Sequence, residues 1–241
     1  MNINTYRTNA IAIGVLFIIG TAAGVLSVVF TNSIFAASDY LLQVSANQSQ
    51  VVLGALCVLV MGFVLAFVPV AAYPVFKKYS ETLALGYVVF RGGIETVTYI
   101  VTATSFLLLL PLSREFVAAG ASSAPYFQTL GALLRGLAGL PMTVFVFGLG
   151  ALLLYYLLYQ SRLIPRWISI WGFIAILLHL ATGFLLVFGW AAEDSQLVSL
   201  MNLPIFLQEM VMAVWLIVKG FDPPALAKLA ARTRPEAEAG R

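Results

Sequence analysis

Val51-Val52-Leu53-Gly54-Ala55-Leu56-Cys57-Val58-Leu59-Val60-Met61-Gly62-Phe63-Val64-Leu65-Ala66-Phe67-Val68-Pro69-Val70-Ala71-Ala72-Tyr73-Pro74-Val75-Phe76 carries no charged side chain from end to end. A helix rising 1.5 Å per residue needs about 20 apolar residues to cross roughly 30 Å of hydrocarbon, and this stretch exceeds that length. Backbone amides cannot stay unpaired in lipid, so the stretch must be a helix or part of a closed barrel. Barrel strands are about ten residues long and alternate apolar with polar side chains, a pattern absent here.

Outward from this segment, five more runs pass the same length test: Ala10 to Phe30, Thr82 to Leu110, about Gly131 to Tyr159, Trp167 to Gly189, and Leu200 to Val218. Composition agrees. Hydrophobic residues make up 61% of the 241 and charged residues 10%, and the mean hydropathy is +0.99. Soluble domains carry about a quarter charged residues. The expected fold is an all-α, polytopic bundle of about six spans in one domain, residues 1–220. A short basic and polar tail, 221–241, follows the helix-stopping Gly220 and Asp222-Pro223-Pro224. The uncharged stretch from Thr8 to Ser38 is longer than the core of a cleavable signal, so the first run reads as a retained span. Within it, Gly20-Thr21-Ala22-Ala23-Gly24 is a small-xxx-small pattern that lets helices approach closely. Pro69, Pro74 and Pro141 read as bends within spans.

Arg7, Lys77, Lys78, Arg162, Arg166, Lys219, Lys228, Arg232, Arg234 and Arg241 all fall on one side of such a layout, against Arg114 and Arg135 on the other. By the positive-inside rule both termini are expected in the cytoplasm, with the protein in the inner (cytoplasmic) membrane. The two longest outward connections are expected to be loops, Thr31 to Gln50 and Pro111 to Ala124.

Ionisable residues inside a bilayer are costly, which makes them the most informative residues in the chain. Arg91, Glu95, Thr98 and Thr102 stand at i, i+4, i+7 and i+11 and draw one polar stripe along the third span. His179 on the fifth span and Glu209 on the sixth complete the set, with Ser169, Gly172, Ile176, His179 and Gly183 forming a small, partly polar seam and Asn202 and Gln208 adding polarity. Counting 1.5 Å per residue from the basic side puts Arg91 and Glu209 roughly 15 Å deep, and Glu95 and His179 roughly 18 to 20 Å. An Arg91–Glu209 ion pair and a Glu95–His179 hydrogen bond are therefore both geometrically allowed. Two readings stay open: the cluster lines a ligand-binding or proton-relaying cavity, or it is a buried ion-pair network that fixes helix register.

Much chemistry is excluded. The single Cys57 supplies neither a disulfide nor a metal site, and the single His179 rules out two-histidine zinc and bis-histidine haem, so no cofactor or metal is expected. There is no phosphate-binding GxxxxGK[ST] loop and no nucleic-acid footprint. Gly120-Ala121-Ser122-Ser123 departs from the Gly-x-Ser-Gly serine context of rhomboid proteases, and Ser122 would lie far from His179. An enzyme is the less favoured class.

Three segments carry a family resemblance: Val89-Phe90-Arg91-Gly92-Gly93-Ile94-Glu95, Ser161-Arg162-Leu163-Ile164-Pro165-Arg166, and Leu203-Pro204 through Glu209 to Trp215-Leu216-Ile217-Val218-Lys219-Gly220. In these the chain resembles a bacterial family of integral membrane proteins described as domain of unknown function 4386. The resemblance implies a topology and no activity. The expectation from the residues is a protein in contact with lipid that takes a small polar or anionic ligand or handles protons. The competing expectation is a regulator or assembly factor docked on another membrane protein or on a second copy.

Overall fold

Long apolar runs became long helices. The computed structural model describes residues 3–121, 125–138, 141–192 and 195–232, and among these no strand occurs. The helices are α1 (Ile3–Phe35), α2 (Tyr40–Ala46), α3 (Gln48–Phe76), α4 (Glu81–Tyr87), α5 (Glu95–Ala118), α6 (Pro125–Ala138), α7 (Pro141–Ser161), α8 (Arg166–Val187), α9 (Gln196–Val218) and α10 (Pro223–Arg232). A π-helical segment, Val88–Ile94, joins α4 to α5 into one continuous rod. Six stretches are long and apolar enough to cross a membrane: Thr5–Phe35, Gln48–Phe76, Glu81–Ala118, Pro125–Ser161, Arg166–Val187 and Gln196–Val218. The protein is an all-helical, six-span membrane protein.

The six rods close a ring in chain order. α1 packs on α3, α3 on α5, the π segment and α4 on α7, α7 on α8, α8 on α9, and α9 back on α1. Small residues set the approach distances. A Cβ placed on Gly20 would lie 2.6 Å from the Leu65 side chain and one on Gly24 2.7 Å from the Met61 sulfur, so the small-xxx-small pattern packs α1 tightly on α3. A Cβ on Gly14 would lie 2.5 Å from the Ala213 carbonyl oxygen, which fixes where α1 crosses α9. Outward-facing Val29, Phe67, Leu177 and Val218 are each about 60% or more exposed, the lipid-facing surface of the ring.

One end of the ring is finished by polar contacts and the other by a second hydrophobic core. On the face where the chain begins, the Arg7 guanidinium donates to the carbonyl oxygens of Leu216 (3.3 Å), Ile217 (2.6 Å) and Val218 (3.1 Å), satisfying the last turn of α9. There α10 docks through Leu226 and Leu229, which join Phe221 in the main core. Residues 233–241, with Arg234 and Arg241, lie outside the described residues.

The opposite end differs from the sequence expectation. Thr31 to Gln50 is largely helical: α1 continues to Phe35, and α2 buries Tyr40, Leu41 and Val44. Pro111 does not end the third span, because α5 runs on to Ala118 and carries Phe116 onto Phe127 of α6 (ring centroids 5.7 Å). These residues form a second small core with Ile34, Val51, Leu109 and Leu110. A proline costs one helical hydrogen bond, and packing against α2 and α6 outweighs it here. Residues 139 and 140, just before Pro141, lie outside the described residues, and Pro141 is the first described residue of α7. α3 runs unbroken through Pro69 and Pro74. Ser122 and Ser123 lie outside the described residues.

Candidate functional site

Arg91 sits in the π-helical segment and projects into the middle of the ring, 2% exposed. A π turn accommodates one extra residue, with the amide of Glu95 bonding the carbonyl of Phe90 five residues back. Gly92 lets this turn lie against α3, since a Cβ there would stand 3.3 Å from Pro69.

Three elements meet at the guanidinium. Nη1 lies 3.2 Å from both carboxylate oxygens of Glu95, which is 0% exposed. Nη2 reaches Glu209 Oε1 on α9 at 3.3 Å. The guanidinium also lies over two aromatic rings, Phe147 of α7 at 4.6 Å and Phe17 of α1 at 5.5 Å. Such cation–π contacts stabilise a desolvated charge by about 2 kcal/mol or more. Tyr99, one turn beyond Glu95, donates its hydroxyl to Glu95 Oε1 at 2.8 Å. The expected Arg91–Glu209 ion pair is thus formed.

The expected Glu95–His179 bond is not. His179 Nδ1 lies 2.7 Å from Asn202 Oδ1, and Thr182 donates to the His179 carbonyl at 2.6 Å. The Phe147 ring contacts both sides of the site, packing T-shaped with the imidazole at 5.0 Å while the Arg91 guanidinium lies over it at 4.6 Å. Depth along a span is readable from sequence, but azimuth across the ring is not, so two residues at one level fell into separate pockets. Thr98 and Thr102 donate to carbonyls of their own helix, Glu95 at 2.7 Å and Thr98 at 3.1 Å, and so add little to the cluster. Gln208 bridges three helices: it accepts from the Tyr155 hydroxyl at 2.6 Å and donates to the Ile168 carbonyl at 3.1 Å.

The cluster has an incomplete side. Arg91 Nε and the Tyr87 hydroxyl are buried without a protein hydrogen-bond partner, whereas buried donors are nearly always satisfied. Glu209, 13% exposed, forms part of a cavity of about 390 Å³ together with Arg91, Tyr99, Phe147, Phe206 and the α1 residues Thr21 to Val29. α1 and α9 touch at Gly14, and around the cavity Val25, Val28, Val29 and Phe206 are exposed. The cavity therefore opens sideways, between two helices, into the region that lipid occupies. No group of three or more metal-ligating side chains occurs among the described residues.

The family model described as "Domain of unknown function (DUF4386)" matches residues 12–220. The chain belongs to that family. The match covers five of the six candidate membrane stretches whole and the first from residue 12 onward, and it ends before α10 begins. No curated protein and no solved structure matches the chain.

Sequence reasoning missed Tyr99, Phe147 and Phe17. Tyr99 stands at i+4 from Glu95, a spacing that places it on the same face. Phe147 and Phe17 come from other helices and look in sequence like any lipid-facing aromatic.

Proposed function

We propose that this DUF4386 protein binds a small amphipathic molecule that enters sideways from the bilayer, with its polar end meeting Arg91 and Glu209. The observation that carries this reading is a charged cluster opening into a lipid-facing cavity through one of its own carboxylates. One guanidinium faces two carboxylates, so neutrality in a low-dielectric interior requires one further positive charge, from a proton or from a cationic group of the ligand. A site of this composition is suited to exchanging a proton for a ligand, the elementary step of ion-coupled transport. The basic face that carries α10 and Arg7 is assigned to the cytoplasm by its excess of Lys and Arg, which fits a bacterial inner membrane.

A second reading is favoured by a different observation. Glu95 is fully buried and fully partnered by Arg91 and Tyr99, as expected of a scaffold that only fixes helix register for a regulator or assembly factor. The two readings separate in the small molecules that co-purify with the protein. Organic extracts of gently solubilised wild type, Glu209→Gln and Val28→Trp should be compared by mass spectrometry. Val28→Trp narrows the cavity mouth without touching the cluster. Binding predicts a species present in wild type and depleted in both variants. Identical extracts from all three would leave the scaffold reading.

A further inference from the structure

The face of the ring that carries Arg7 and α10 holds a second site, unrelated to the interior cluster. Two adjoining cavities, about 470 and 480 Å³, share Arg162, Arg166 and Asp222 as their common wall. Lys219 lines the first and Lys228 the second. Four cations from three different elements thus converge around one carboxylate, and that carboxylate is already engaged: Asp222 Oδ1 accepts from the Ala225 amide at 2.9 Å, capping α10. Among the described residues the only salt bridges are those of Arg91, so none of the four cations is paired with an acid there.

The frame under these cations is rigid. Leu163 and Ile164, between the two arginines, are buried in the main core. The Leu163 carbonyl accepts from the Asp222 amide at 2.8 Å, tying the α7–α8 turn to the α9–α10 turn. Arg162 is held in the left-handed region at φ 57°, a conformation that a non-glycine residue keeps only where its surroundings impose it. Arg166 is oriented over the Tyr159 ring at 4.7 Å. Trp215 lines the first cavity and exposed Trp167 adjoins Arg166, the aromatic setting of a membrane–water boundary.

We infer that this pocket binds the phosphate of an anionic phospholipid headgroup. Guanidinium groups that project from an anchored turn and have no acid partner among the described residues suit phosphate oxygens, which Arg holds by paired hydrogen bonds. The position beside interfacial tryptophans favours a lipid over a soluble phosphate, because the acyl chains can stay in the bilayer while the headgroup enters. A positive-inside signal accounts for charge on this face but not for four cations, none of them paired with an acid among the described residues, around two turns tied together by a hydrogen bond.

The full-length protein in detergent micelles should be titrated with phosphatidylglycerol, phosphatidylcholine and inorganic phosphate, and bound lipid counted by native mass spectrometry. The inference expects phosphatidylglycerol to be retained at least 5-fold over phosphatidylcholine. Arg162→Gln/Arg166→Gln should abolish that preference, and Arg162→Gln/Lys219→Gln should do the same if the first pair folds poorly. Lys77→Gln/Lys78→Gln, an equal charge change on the same face but outside both cavities, should keep it. Equal losses from the pocket pair and the Lys77/Lys78 pair would reduce the effect to net charge and overturn the site. Displacement of the lipid by inorganic phosphate at equal concentration would overturn the lipid in favour of a free anion. Displacement by a poly-glutamate peptide at equal concentration would overturn it in favour of an acidic protein partner.

Discussion

Arg91 holds the interior of the ring together by contacts that no other side chain can replace. Its two terminal nitrogens bind carboxylates from two helices, and the guanidinium lies over aromatic rings from two more. Arg91→Ala leaves Glu95 and Glu209 as buried acids without a counter-charge, and is expected to lower stability by about 3–5 kcal/mol, measured by denaturation in mixed micelles. Removing the whole network is a different experiment. The combined change Arg91→Met, Glu95→Leu, Tyr99→Phe and Glu209→Leu puts apolar groups of similar size in its place. It should fold with stability near wild type, because a buried ion-pair network stabilises little against a well-packed apolar one. That protein would separate fold from function, retaining the ring while losing any ligand. Arg91, Glu95 and Glu209 were legible in the sequence because charges inside apolar runs stand out, and the Arg91–Glu209 pair followed from depth alone. The Glu95–His179 bond did not form because each group has other partners, Asn202 for His179 and Arg91 with Tyr99 for Glu95, and the direction a side chain takes around its helix axis relative to other helices is not written in the sequence.

At the scale of elements, glycines and one π turn set the geometry that the charges use. A Cβ on Gly172 would collide with the ring of Tyr155, which is fully buried and anchored to Gln208. Gly172→Ala is therefore expected to destabilise by about 1–3 kcal/mol, as overpacking does, whereas Gly136→Ala, with open space around it, should be neutral in the same thermal melt. Deletion of Gly93 shortens the π-helical segment by the one residue a π turn has in excess, at a position where even a Cβ would meet no packed neighbour. The shorter segment should relax to an α-helix, rotate Arg91 by roughly 100° relative to α5 and destabilise the protein to the same degree as Arg91→Ala. Similar stability to wild type would mean that the π turn does not aim the guanidinium. The spans themselves were legible because length and hydropathy fix them. Their outer ends were not: α2, the last two turns of α5, and α6 follow from mutual packing of Leu41, Phe116 and Phe127, contacts between segments distant in sequence. Pro111 misled for the same reason, since a proline signals a lost hydrogen bond but not whether packing absorbs it.

For the whole molecule, the ring is closed where α1 crosses α9 at Gly14, and the proposed function has the ligand reach the cluster sideways from lipid, past the exposed Val25, Val28 and Val29. The measurement that tests this most directly is the melting temperature of the purified protein against a panel of small amphipathic amines, acids and alcohols, with wild type, Glu209→Gln and Val28→Trp side by side. A binding site predicts that at least one compound raises the wild-type melting temperature in a concentration-dependent way, and that both variants lose the shift while remaining folded. If no compound shifts wild type, or the shift persists unchanged in Glu209→Gln and Val28→Trp, the cluster is scaffold and the cavity is not its entrance.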